Sequence, residues 1–130
     1  MTNPTHSRSG PDWRLVLAVF AAATVILVVR TLIGRAGMPF FADTDDAMRM
    51  VMVRDFINGQ GWYDLTAHRL NTPFGAEIHW SRLIDLPLAA LVLAFTPVLG
   101  ADLAMVAAGY AWPMLLLLAL LWLSARLAWR

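Results

Sequence analysis

Asp43, Asp45 and Asp46 lie within four residues of one another, just beyond a long apolar run. Ionised carboxylates held this close repel, so the cluster calls for a cation, a shared proton or a cationic ligand. The segment that follows is rich in further ionisable groups, among them Arg49, Arg54, Asp55, Asp64, His68, Arg69, His79 and Arg82. Each has a structural use as well. Asp43 is a helix N-cap candidate, and Asp45 and Asp46 suit a first turn, where the helix dipole favours anions. Arg54 and Asp55 suit a structural ion pair, and His68 and His79 suit hydrogen-bonded interface positions.

An amphipathic helix is predicted over about residues 44–58, opened by Asp43 and closed near Asn58-Gly59. Asp45 and Arg49 stand four apart on it and are expected to pair. Its apolar residues are not confined to one stripe, which predicts burial on more than one side.

The elements that must hold this segment are apolar. Hydrophobic residues make up 59% of the chain and charged ones only 15%, with a mean hydropathy of +0.61, which selects the integral membrane class. A net charge of +1 without a basic stripe carries no nucleic-acid signature. The absence of cysteine excludes disulfides and thiolate metal sites. The expected fold is all-α integral membrane, with three transmembrane helices and a helical extramembrane loop between the first and second. The expected organisation is a disordered tail over residues 1–12, transmembrane helices over 13–33, 83–100 and 103–125, and the loop over 34–82. Asp102 is the expected cap of the third transmembrane helix, and Asp85 interrupts the second apolar run. Arg126 and Arg130, with Trp122 and Trp129, form an expected interfacial anchor.

An acidic pair opening a helix after the first membrane span, followed by an Arg-acid pair and a Gly-Trp step, resembles the GT-C membrane glycosyltransferases that use polyprenyl-linked sugar donors. The matching residues are Asp45-Asp46-Ala47, Arg54-Asp55-Phe56 and Gly61-Trp62. The pattern is most similar to the protein mannosyltransferase and aminoarabinose transferase branch, with Asp45 at the position of the essential acid. A looser similarity to the oligosaccharyltransferase catalytic subunit would place Asp43 there instead. The resemblance covers about residues 13–125. Family members have many more membrane helices, which implies either an amino-terminal portion, inactive alone, whose missing spans other helices supply, or a short product that has lost or never had catalysis.

The resemblance implies inverting transfer of a sugar from a polyprenyl phosphate or diphosphate to an acceptor. Asp45 is the implied catalytic carboxylate, and Asp43, Asp45 and Asp46 are the implied ligands of a divalent cation, Mg or Mn. Arg49, Arg54 and Arg82 are implied contacts of the donor phosphate, because guanidinium forks suit phosphate oxygens, and His79 is a further polar contact. The implied partners are membrane lipid and the polyprenyl-linked donor, and the implied location is a bacterial inner membrane with the loop extracytoplasmic. Eight of the ten Arg lie from the end of the first span onward, in the loop and towards the C-terminal end, against two on the N-terminal side, which by the positive-inside rule would favour a cytoplasmic loop; the family topology places it outside. Two other classes fit the same residues: a small non-catalytic membrane interaction protein or assembly subunit, and a transporter fragment whose membrane-edge acids bind a cation.

Overall fold

A computed structural model describes residues 10–34 and 43–129 of the chain. Most of the expected N-terminal tail, together with Gly37 and Pro39 beyond the first span and Arg130, lies outside the described residues. Four helices and one short ribbon follow in order: α1 (Trp13–Gly34), α2 (Thr44–Ile57), β1 (Thr66–Ala67), β2 (Ala76–Glu77), α3 (Arg82–Leu99) and α4 (Ala101–Ala128). Among the described residues α1, α3 and α4 are long and apolar enough to cross a membrane.

The residues fall into two compact units. One contains α1 and the part of α4 from Met114 onward, and the other contains α2, the ribbon, α3 and α4 up to Pro113. In the first unit the Thr24 hydroxyl bonds the Phe20 carbonyl oxygen at 2.8 Å and contacts Met114 Sδ at 3.8 Å. Trp13, Val16 and Leu17 face Leu115, Leu118, Ala119 and Trp122 across an open apolar groove of about 400 Å³. Thr24 lies by Met114 and Trp13 by Trp122, so α1 and this part of α4 run in opposite directions. None of α1's apolar window is buried.

The second unit holds the core. Met50 and Val53 of α2 pack with Leu88, Ala89 and Val92 of α3 and with Ala104 and Ala108 of α4. The small side chains Ala89, Ala104 and Ala108 complete this core, and the closest backbone approach between helices is that of α2 to α3. Met52 is also buried, about 200° around α2 from Met50 at 3.6 residues per turn, so α2 is covered on two sides.

Local chemistry sets the helix ends. Asp43, in extended conformation at φ −111° and ψ 144°, accepts a hydrogen bond from the Asp45 N–H at 3.3 Å and starts α2. Asn58 ends it, with Gly59 beyond at φ +105°. Ser81 caps α3 through the Leu83 N–H at 3.2 Å. Gly100, at φ +75°, turns the chain so tightly that α4 begins at Ala101. Asp102 therefore sits inside the first turn of α4 instead of capping it, and α4 extends to Ala128.

The loop departs from a purely helical fold. Thr66 pairs with Glu77 and Ala67 with Ala76 in an antiparallel ribbon closed by residues 68–75. Asn71 at φ 49° and Gly75 at φ 79° supply the left-handed residues of the turn, and a side chain at Gly75 would overlap Thr66 Cγ2. Two-residue strands are too short to show the alternation that marks a strand in sequence.

Candidate functional site

The helix-to-helix contact of α2 with α3 is built around one buried acid. Asp85, in the first turn of α3, is 0% exposed. Its Oδ1 accepts from Arg49 Nη1 of α2 at 2.8 Å, and its Oδ2 accepts from Arg82 Nη1 at 3.2 Å. A carboxylate in an apolar run needs such partners, because isolated burial of its charge costs several kcal/mol or more. Two guanidinium groups against one carboxylate leave this cluster a net positive charge.

The two arginines differ in what remains free. Arg82, with a side chain 3% exposed, also donates from Nη1 to the Met52 carbonyl at 3.4 Å and from Nη2 to Gln60 Oε1 at 2.9 Å and to the Asp64 carbonyl. Its guanidinium lies 5.1 Å from the Phe56 ring centre. Both terminal nitrogens are thus used to tie the start of α3 to the end of α2 and to the loop. Arg49 keeps a side chain 22% exposed and stacks 4.3 Å from the Trp80 ring centre. Its position is set by Asp85 and Trp80, and the side chain remains partly exposed.

The acidic cluster at the start of α2 is spread out. Asp43 spends a carboxylate oxygen on the Asp45 N–H and receives the Thr44 hydroxyl at 3.3 Å. Asp45 and Asp46 are exposed in the first turn and point about 100° apart around the helix. Among the described residues no group of three His, Cys, Asp or Glu side chains converges in a way that could hold a metal ion. The residues implied as cation ligands therefore do not form a cage in this conformation.

The expected pair of Asp45 with Arg49 is replaced by the pair of Arg49 with Asp85. The buried acid has no water to compete for, so it holds the guanidinium more strongly than an exposed acid one turn away. Arg54 pairs with Asp55 at 3.7 Å, and His79 is exposed in the stretch before Ser81. Arg82, grouped in the sequence with the phosphate contacts, is buried and committed to protein partners. Asp85 carries the cluster and was not among the candidate residues. Its signal was legible: an acid in an apolar run with an arginine three residues before it.

Asp45 also lines an open cavity of about 400 Å³ between α2 and the ribbon turn, where Met48, Met52 and Asp55 face Ala67, His68 and Arg69. Near the ribbon, Asp64 accepts the Thr66 N–H at 3.0 Å. That backbone bond, with the Thr66 hydroxyl, the Gln60 amide and the charge of His68, holds the Asp64 carboxyl below its ordinary value against a smaller opposing effect of burial.

No family model, curated protein or solved structure matches this chain.

Proposed function

We propose that the chain is anchored in a membrane through α1, α3 and α4 and forms the acceptor-activating part of a polyprenyl-linked-sugar glycosyltransferase of the GT-C type, with the segment between α1 and α3 extracytoplasmic. One observation carries the reading: Arg49 is held by Asp85, so Asp45, one turn back on the same helix, is left exposed with no ion pair among the described residues. A free carboxylate and a positioned guanidinium, about 6 Å apart along the helix axis, are the two groups that sugar transfer from a lipid phosphate requires. Asp45 takes the proton of the acceptor hydroxyl as its oxygen bonds the anomeric carbon. The bond from that carbon to the phosphate oxygen breaks, and Arg49 meets the charge that gathers on the phosphate. Arg82 and Asp85 serve by holding Arg49 and the helix ends.

Three alternating crossings require α1 and α4 to run in the same direction, opposite to their pairing in the first unit. That pairing buries none of α1's apolar window, so little opposes a rearrangement on insertion, and lipid or further helices of a larger assembly would cover α1.

The test is sugar transfer in membranes carrying the full-length protein, supplied with polyprenyl phosphates bearing radiolabelled sugars. Label should reach an acceptor in wild type, and Asp45→Asn should lower the rate by about a hundredfold or more. Wild-type membranes that transfer no label beyond those lacking the protein would sink the reading in favour of a non-catalytic interaction protein.

A further inference from the structure

The ribbon turn lies on the side of α2 away from α3. At about 100° per residue, Met50 and Val53, which pack on α3, are roughly opposite Met48, Val51 and Asp55, which face the turn. Their partners Leu88, Ala89 and Val92 lie about 9–15 Å along α3 from Arg82, so α2 stands beside the first half of α3 rather than beyond its end. With 18 residues, about 27 Å, α3 needs its whole length to cross the roughly 30 Å hydrocarbon core. Its first half therefore occupies the leaflet on the loop side, and α2 and the turn beyond it are level with that leaflet.

Three features of the turn suit lipid. The cavity between it and α2 is lined mainly by apolar atoms, from Ala47, Met48, Val51, Met52, Ala67 and Leu70, and Asp55 at its edge is already paired with Arg54. It runs about 16 Å along α2 from Thr44 to Asp55 within a volume of about 400 Å³, so it is a trough longer than it is wide, the shape of a hydrocarbon chain. Arg69 also lines it, is exposed and has no ion pair among the described residues. Phe74, on the same turn, is 83% exposed, and a ring there is better placed among lipid headgroups than in water.

We infer that the ribbon turn and the trough beside it form a phospholipid contact. An acyl chain from the leaflet on the loop side lies along α2 against Met48, Met52 and Leu70, whose flexible side chains adapt to it. Arg69 meets the lipid phosphate, and Phe74 enters the boundary between headgroups and acyl chains. The contact fixes the loop against the membrane surface at a point separate from α3. It rests on the membrane anchoring proposed above and is independent of the transferase reading.

The test is fluorescence quenching and photo-cross-linking of the full chain in phosphatidylcholine nanodiscs. The chain has no cysteine, so an environment-sensitive dye is placed singly through Phe74→Cys or, as a control inside the span, through Leu93→Cys. Lipid nitroxides near the headgroup should quench the dye at position 74 at least about twofold, and nitroxides near the chain end should quench it less. The order should reverse at position 93, about 16 Å along α3. A phosphatidylcholine with a photoactivatable acyl chain should form adducts at Met48, Met52 or Leu70. Ala47→Trp, which narrows the trough, should remove most of these and leave adducts on α3 and α4 unchanged. Quenching at position 93 without quenching at position 74 would overturn the inference and leave the anchoring standing; quenching at neither would overturn both. Adducts confined to α3 and α4 would also overturn it, as would a benzophenone at position 74 that captures protein instead of lipid in native membranes.

Discussion

Arg49 reaches from α2 to Asp85 on α3, Nη1 to Oδ1 at 2.8 Å, rather than to Asp45 on its own helix. The two residues are 36 apart in sequence, and their bond joins the loop helix to the start of a membrane-spanning candidate. It also separates two functions of charge. Asp85 is fully buried and structural, whereas Asp45 is exposed and its carboxylate has no ion pair among the described residues.

Removing the buried charge should be costly. Asp85→Asn leaves two arginines without their counter-ion, and the loss of one member of a buried ionic cluster typically costs about 3–5 kcal/mol. Reversible unfolding in mixed detergent micelles would measure it. A variant as stable as wild type would show that α2 and α3 are held by apolar packing alone.

The two arginines should separate in kinetics and stability. Arg82→Lys keeps the charge but loses the fork that reaches Asp85, Gln60 and two carbonyls, so it should lower stability by roughly 2 kcal/mol or more. Arg49→Lys should cost less stability, because its side chain is partly exposed, and should raise the KM for a polyprenyl-phosphate donor. Equal stability losses with an unchanged KM would remove Arg49 from donor binding.

The acids at the start of α2 should rank in a set order. Asp43→Asn keeps a good N-cap and should change activity little, whereas Asp45→Asn should abolish most transfer while changing stability by less than about 1 kcal/mol. Rates of sugar transfer and unfolding measured on the same preparations decide this. An essential Asp43 with a tolerant Asp45 would move the catalytic role to the oligosaccharyltransferase-like register.

Membrane association is expected from the three apolar helices, and sidedness from the proposed topology. The protein should stay with membranes through alkaline carbonate extraction. Single cysteines at the exposed loop positions Thr72 and Glu77 should react with an impermeant thiol reagent in intact cells. Labelling of both only after lysis would place the loop in the cytoplasm. Cysteines at Trp13 and Trp122 should label from opposite faces if all three helices cross; labelling from one face would retain the antiparallel pairing of α1 with α4.

Asp64 should contribute to acid sensitivity. Its carboxyl is held below the ordinary value in the folded chain, so its contribution is fully present above the unfolded value of about 3.9 and is lost as pH falls through the lowered one. Stability measured between about pH 5 and 3 should therefore fall less steeply in Asp64→Asn than in wild type. Parallel curves for the two proteins would mean that the Thr66 contact does not persist in solution.

Much of the architecture is local and was legible in the chain. The apolar runs set α1, α3 and α4, because a predominantly apolar stretch near 20 residues has few alternatives to a helix in an apolar environment. Asp43 and Asn58-Gly59 bounded α2, because capping depends on residues within one turn of the helix end. Burial on two sides of α2 followed from apolar residues all round it. Other features depended on what packing brought close. Asp85, although its place in an apolar run marks it in sequence, competes with Asp45 for Arg49 only once α2 lies against α3. Arg82 changed from an available cation to an internal brace for the same reason, since Gln60, Asp64 and Met52 converge on it only in three dimensions. The ribbon at Thr66 and Glu77, and with it the cavity beside Asp45, needed the turn of Asn71 to Gly75 to close before its strands could pair. Sequence alone determined which segments are helices and where the charge lies; the tertiary structure decided which charges are spent on the fold and which remain free, because the strength of an ionic contact depends on how far its partners are withdrawn from water.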